Sequence, residues 1–408
     1  MNSFRLLHTS DWHLGQKFIT KDRLQEHTLA LDWLFDCIVE QQVEVLIVAG
    51  DIFDIGSPPN YARRLYYRFL TRLQQTNCRH IIITGGNHDS PAMLEAPKDL
   101  LQQLNVYVIG AVPADLQDEI ILLRDQTGNL EAVVAAVPFL RDRDLKKAVA
   151  GETGIDRIER IKEGIREHYQ DVGALLETYQ NENIPIIVTG HLYASGAEVS
   201  GKQDNIYIGN KENIKAQHFP NVFDYVALGH IHRAQVIGGL KHIRYSGSII
   251  PLSFSETKDD KSVYLLAFEG KELKDIQALQ LPVFRRLKTL RGDFGEVKDK
   301  LAAFAEKHKD ELKPWMEIII ETDTILPSAA DELYALAKDL KVEILKLRVL
   351  RKTEIQSTEV ASTQLEELDV LDVFRQKCME FGTAPDNMEE LEMTFRELQD
   401  WLAEEKVD

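Results

Sequence analysis

Five short apolar runs in this chain each stop on a residue able to hold a metal ion. Residues 6–7 lead into Ser10-Asp11-Trp12-His13, 45–49 into Gly50-Asp51, and 81–83 into Gly86-Asn87-His88-Asp89. Residues 186–188 lead into Gly190-His191, and 225–228 into Gly229-His230-Ile231-His232. Runs of this length read as buried strands, and open α/β sheets place their ligands beyond the carboxyl ends of such strands. Five converging ends predict one pocket, rich in oxygen and nitrogen donors, for two metal ions.

The donor types narrow the chemistry. Asp11 and His13 stand two apart, and in an extended segment their side chains leave the same side. A carboxylate beside an imidazole suits manganese, iron or zinc better than calcium. Asp51 follows a glycine that permits close backbone approach. Asn87 offers a neutral carbonyl oxygen, useful where a bridging carboxylate already supplies charge. His191 and His230 each follow glycine, and His232 repeats the two-residue spacing. Any one of these could be a core histidine or a helix cap; the ordered set points to metal.

At 408 residues the chain is too long for one core, so two or three domains are expected. The strand-and-helix alternation fills 1–280. A small α/β unit follows at 281–352, read as strand 286–290, helix 296–308, strand 315–322, helix 329–340 and strand 342–349. Residues 353–408 read as a polar linker and two amphipathic helices, 365–381 and 387–405. Their apolar faces pack either on the body or on a helical partner. Within the first domain, helices are expected at 24–40, 61–75 and 156–180, and a hairpin loop at 125–129.

The net charge of −18 is uneven: from Thr353 onward 16 Asp and Glu face 4 Lys and Arg. That tail carries most of the repulsion an acidic chain has for nucleic acid, and the body is left nearly balanced. No apolar stretch reaches bilayer length. The N-terminus passes straight into the first strand, which predicts no signal peptide. Three scattered cysteines have neither disulfide nor zinc spacing, and a cytoplasmic location is expected. Residues 196–203 nearly spell a P-loop, but Gln203 replaces the hydroxyl that would meet magnesium. An ATPase is therefore not expected in this chain.

Arg64, Arg68 and Arg72 recur every four residues along the 61–75 helix, either as a solvated charged face or as a stripe that tracks phosphates. Tyr66, Phe69 and Leu73 occupy another face.

Asp11-x-His13, Gly50-Asp51, Gly86-Asn87-His88-Asp89, Gly190-His191 and Gly229-His230-x-His232 resemble the five motifs of the calcineurin-like metallophosphoesterases. His8 to Gly15, Gly50 to Asp54, Gly56-Ser57-Pro58-Pro59, Ala227 to Arg233 and Tyr245-Ser246-Gly247-Ser248 narrow this to the bacterial nuclease subunits that work with an SMC-like ATPase. The resemblance implies a four-layer αββα sandwich, an α/β capping domain and a C-terminal helical pair. It implies two divalent ions, manganese by preference, one held by Asp11, His13 and His232, the other by Asn87, His191 and His230, with Asp51 bridging. His88 would face the phosphate and Asp89 orient it. Archaeal and eukaryotic relatives carry histidine where this chain has Asp54, so that histidine's role does not transfer.

The resemblance further implies 3′–5′ exonuclease action on duplex ends and endonuclease action on single strands and hairpins. The coiled-coil ATPase partner would dock on 365–405. Two copies would pair through the apolar face of the 61–75 helix, within a heterotetramer. The competing readings are a phosphatase or phosphodiesterase on small molecules or phosphoproteins, and a non-enzymatic adaptor with a relic site.

Overall fold

In a computed structural model, residues 3–145, 154–194, 197, 214–308, 312–322 and 328–350 are described, with positions 391 and 395. Apart from positions 197, 391 and 395, the expected helices 365–381 and 387–405 and the P-loop look-alike at 196–203 lie outside the described residues. The chain divides into two compact units, Met1–Glu321 with Leu326–Val349 and Thr322–Ile325 with Leu350–Asp408. All the candidate metal ligands belong to the first.

In chain order the strands are β1 (Ser3–Thr9), β2 (Lys17–Phe18), β3 (Lys21–Asp22), β4 (Val45–Ala49), β5 (His80–Thr84) and β6 (Val106–Ile109). There follow β7 (Ile120–Arg124), β8 (Leu130–Ala135), β9 (Ile186–His191), β10 (Tyr225–Gly229), β11 (Gln235–Ile237) and β12 (Leu240–Tyr245). The last five are β13 (Ser262–Glu269), β14 (Glu272–Gln280), β15 (Leu287–Gly292), β16 (Trp315–Glu321) and β17 (Glu343–Leu350). The helices are α1 (Leu24–Glu40), α2 (Asn60–Leu73), α3 (Pro91–Glu95), α4 (Lys98–Gln102), α5 (Gly154–Leu176), α6 (Phe294–Lys307) and α7 (Ala329–Asp339).

Two six-stranded sheets form, ordered β14-β13-β1-β4-β5-β6 and β11-β12-β10-β9-β8-β7. Alternation along each strand decides the layering, because successive side chains leave opposite faces. Leu6, Val45, Ile47 and Ile82 meet Ile187, Tyr225 and Ala227 of the other sheet in one core. The alternate residues Leu7, Leu46, Val48, Ile81 and Ile83 pack under α1 and α2. Ile186, Val188, Val226 and Leu228 pack under α5 in a third core. Helix, sheet, sheet, helix: the αββα sandwich is present. Strands β1, β4, β5 and β6 run parallel, as do β8, β9, β10 and β12. Their carboxyl ends therefore lie on one side of each sheet.

The 125–129 hairpin closes β7 on β8 as expected. Strand β14 lacked a sequence signal: it is an edge strand whose mostly exposed residues show no apolar alternation. The apolar face of α2 is also corrected. Tyr66, Phe69 and Leu73 are buried in the core under the first sheet and offer no surface to a second copy.

The strands β15, β16 and β17 form a three-stranded sheet covered by α6 and α7. It meets the body at a buried charge cluster. Glu26 on α1 accepts from Arg285 Nη2 at 3.4 Å and from Arg23 Nε at 3.3 Å, and its carboxylate lies 2.9 Å from Arg285 Nε as an ion pair. The Arg285 guanidinium lies 4.2 Å over the Trp315 ring, which stacks on Phe18 of the β2–β3 hairpin. All three charged groups are nearly water-free, so none can be removed without stranding another. Glu26→Ala should lower unfolding stability by about 3–5 kcal/mol in urea denaturation; a loss under about 1 kcal/mol would mean water replaces the carboxylate there.

Candidate metal centre

The loops after β1, β4, β5, β9 and β10 deliver all seven expected ligands to one cleft. Asp51 lies at its centre and is 1% exposed. Its Oδ2 is 3.4 Å from His13 Nε2 and 3.2 Å from His191 Nε2, and its Oδ1 accepts from the His88 amide at 2.9 Å. Asn87 Oδ1 sits 3.0 Å from His191 Nε2 and 2.9 Å from His230 Nδ1. Asp11 accepts from the His230 amide at 2.9 Å and from Ser10 Oγ at 2.5 Å.

The local backbone departs from the extended segment expected at Asp11 and His13. Both have positive φ, 52° and 45°, as do Asp51 at 50° and His230 at 93°. Such conformations cost a non-glycine residue about 1–3 kcal/mol each. Cross-loop hydrogen bonds offset that cost: Asp11 N to Gly50 O, His13 N to Asp51 O, and Leu14 N to Ile52 O. The two loops thus turn as one. Glycines make room for His191. A Cβ on Gly50, at φ +84°, would fall 2.1 Å from its Nδ1, and a Cβ on Gly229 would fall 1.9 Å from the Ala49 carbonyl that ring donates to.

Three of the imidazoles, His13, His191 and His232, are aimed by the other nitrogen. His13 Nδ1 meets the Asp54 carboxylate at 3.2 Å, and His232 Nδ1 meets Glu256 at 3.4 Å. Lys261 fixes Glu256 at 2.6 Å and the His232 carbonyl at 2.8 Å. Glu256 and Lys261 had no signal in the sequence, because both act from a 3-10 turn and strand approach that carry no motif. Asp54 stands out in the sequence only as a departure from relatives.

One expected contact is absent. Asp89 does not orient His88, because its carboxylate is saturated by the Ile52, Phe53 and Gly86 amides at 2.9–3.0 Å. It ties the β4 loop to the β5 loop. His88 is held instead through Nδ1 by the Asp54 carbonyl at 2.7 Å, which leaves Nε2 toward the cleft. The arginine stripe divides. Arg64 and Arg68 are exposed, whereas Arg72 pairs with Asp32 and covers the Phe35 ring at 4.0 Å.

The donor set fits divalent cations. His13 Nε2 is buried with no hydrogen-bond partner. Donor atoms of Asp11, His13 and His232, of Asp11, Asp51 and His191, and of His13, Asp51 and His88 each lie within 4.8 Å of one another. Oxygen and imidazole donors at this density suit manganese, iron or zinc.

Protons compete for the same places. Burial would lower the His13 imidazole, but the Asp54 hydrogen bond and the Asp51 and Asp11 charges outweigh it and raise it to about 9. Against the same burial, Asp51 raises His191 to about 9. Burial and the neighbouring His191 charge lower His230 to about 3. A histidine raised on folding stabilises the metal-free protein fully below its ordinary value of 6.5, and that contribution disappears as pH climbs through 9. In EDTA the melting temperature should therefore fall from pH 6.5 to 9, and saturating Mn²⁺ should remove most of that slope. A midpoint rising across this window in EDTA would contradict the arrangement.

Residues 4–234 match the calcineurin-like phosphoesterase family, and 283–380 match the family described as type 5 capsule protein repressor C-terminal domain. The chain is 42% identical to the SbcD subunit of the SbcCD nuclease of Escherichia coli K12, covering 91% of this chain and 92% of that one. It is 38% identical to the Rhodobacter capsulatus protein of that name, over 65% and 67% of the two chains, and 31% identical to the Bacillus subtilis one, over 66% and 67%. Sequence likeness of that extent, over a sandwich whose strand ends gather these donors, makes the chain a member of the SbcD family of calcineurin-like phosphoesterases.

Proposed function

We propose that this protein is the two-metal DNA nuclease subunit of an SbcC–SbcD complex, cutting duplex ends 3′ to 5′ and opening single strands and hairpins internally. The observation that carries the reading is the position of Asp51, one carboxylate within 3.4 Å of imidazoles from two ligand sets, with His88 on the same rim. Asp11, His13 and His232 would hold one ion and Asn87, His191 and His230 the other, with Asp51 common to both; manganese is the ion the family resemblance favours among those the donors suit. The bound pair would supply positive charge to the phosphate oxygens and a nucleophile at neutral pH.

The chain's own residues do the rest. The Asp54 carbonyl accepts Nδ1–H of His88 and fixes the ring, so Nε2 can take up a proton and, from the imidazolium, pass it to the departing 3′-oxygen, an effect typically worth about 10²–10⁴-fold. Asp89 keeps the β4 and β5 loops in register, so Asp51 and Asn87 stay opposed. Arg64 and Arg68, both exposed, would meet phosphates of a bound strand; Arg72, paired with Asp32, would not. The partner SbcC, an SMC-like ATPase, would engage residues 365–405, whose sequence spaces apolar residues at helical intervals, with two copies of each subunit in the complex. Among the described residues no helix is long and apolar enough to cross a membrane.

His88→Gln should retain two metal ions by elemental analysis while cleavage of end-labelled duplex with Mn²⁺ falls by about 10²–10⁴-fold. Near-normal cleavage would remove His88 from the mechanism. Asp51→Asn should instead lose metal. Deleting residues 353–408 should abolish co-elution with SbcC on gel filtration and preserve manganese-dependent cleavage of single strands. Co-elution that survives the deletion places the contact elsewhere.

A further inference from the structure

Three imidazoles of the cleft are backed by two different chemistries. His13 and His232 each turn Nδ1 to a carboxylate, Asp54 at 3.2 Å and Glu256 at 3.4 Å. His191 turns Nδ1 to the neutral Ala49 carbonyl at 3.0 Å, while its Nε2 and His230 Nδ1 converge on the neutral amide oxygen of Asn87 at 3.0 and 2.9 Å. The difference extends to the remaining donors. The first pair shares its place with the Asp11 carboxylate, the second with the Asn87 amide. Near the first pair, three carboxylates (Asp11, Asp54 and Glu256) face two cations, Lys261 at 2.6 Å from Glu256 and the buried Arg23, whose charge also acts on Glu256. Near the second, the Arg141 guanidinium donates to the Gly86 and Asp89 carbonyls on either side of Asn87. The Asp89 carboxylate is turned to backbone amides and meets no imidazole.

A carboxylate that accepts Nδ1–H makes the far nitrogen a stronger donor and locks the ring, whereas a carbonyl only locks it. Negative charge close to a dication in a water-poor cleft adds to the same preference. We propose that Asp54 and Glu256 are positioning residues that make the Asp11–His13–His232 place the tighter of the two. Divalent cations then load that place first, and the Asn87–His191–His230 place fills second and exchanges faster. This rests on the ligand assignment given under Proposed function. Its consequence is a nuclease that holds one ion persistently and completes its centre only when free metal rises.

Mn²⁺ titration of the EDTA-stripped full-length protein, with free Mn²⁺ followed by electron paramagnetic resonance, tests it without reference to activity. Two binding classes should separate by about tenfold or more in Kd. Asp54→Asn and Glu256→Gln should each weaken the tight class by about 10–100-fold and move the weak class by less than about threefold. Asn87→Asp should tighten the weak class by about tenfold, a gain that misfolding cannot produce. Equal affinities in the native protein, equal weakening of both classes by Asp54→Asn and Glu256→Gln, or an unmoved weak class in Asn87→Asp overturns the proposal. Failure to bind two ions at all overturns the ligand assignment instead.

Discussion

The arrangement of this protein turns on one buried carboxylate. Asp51 is almost inaccessible to water, yet faces His13 on one side, His191 on the other and the His88 amide beneath. An uncompensated carboxylate there would be strongly unfavourable, so the surrounding imidazoles are required by the fold as much as by the chemistry. The charges of His191 and His13 overcome burial and hold Asp51 well below the usual carboxylate range. The site is therefore poised for cations before any substrate arrives.

Holding that carboxylate demands an unusual backbone. Four donor residues sit at positive φ, and the strain persists because the loops after β1 and β4 hydrogen-bond to one another while Asp89 clamps the β4 and β5 loops from below. The two sheets matter for the same reason. Gly229 lets β10 approach Ala49, the last residue of β4, closely enough for the Ala49 carbonyl to receive His191. Packing of the sheets and aiming of the ligand are thus one event. The α/β unit joins this scheme through Arg285, which pairs with Glu26; Glu26 in turn holds Arg23, which bonds to Gln16 and the Pro251 carbonyl on the approaches to His13 and His232.

Much of this was legible in the sequence. Runs such as 45–49 and 81–83 read as buried strands, and a donor at the end of each pointed to one side of the sheets. The ligands followed from that placement, and the helix bounds of α1 from its periodic leucines. Features that were not legible depended on distance in the chain or on conformation. Glu256 reaches His232 across 24 residues, and nothing in Ser253-Phe254-Ser255-Glu256 marks it. Positive φ at aspartate and histidine has no compositional signature, so the segment around Asp11 read as extended. Asp89 and Tyr66 were misread for a related reason. Each residue type suits two environments, catalytic or clamping for one, interface or core for the other, and only the tertiary contacts decide.

Anomalous diffraction at the manganese edge from crystals soaked in Mn²⁺ tests the central claim most directly. Two peaks should flank the Asp51 carboxylate, one beside Asp11, His13 and His232, the other beside Asn87, His191 and His230. A single peak remote from Asp51, or none in the cleft, would contradict a shared two-metal centre.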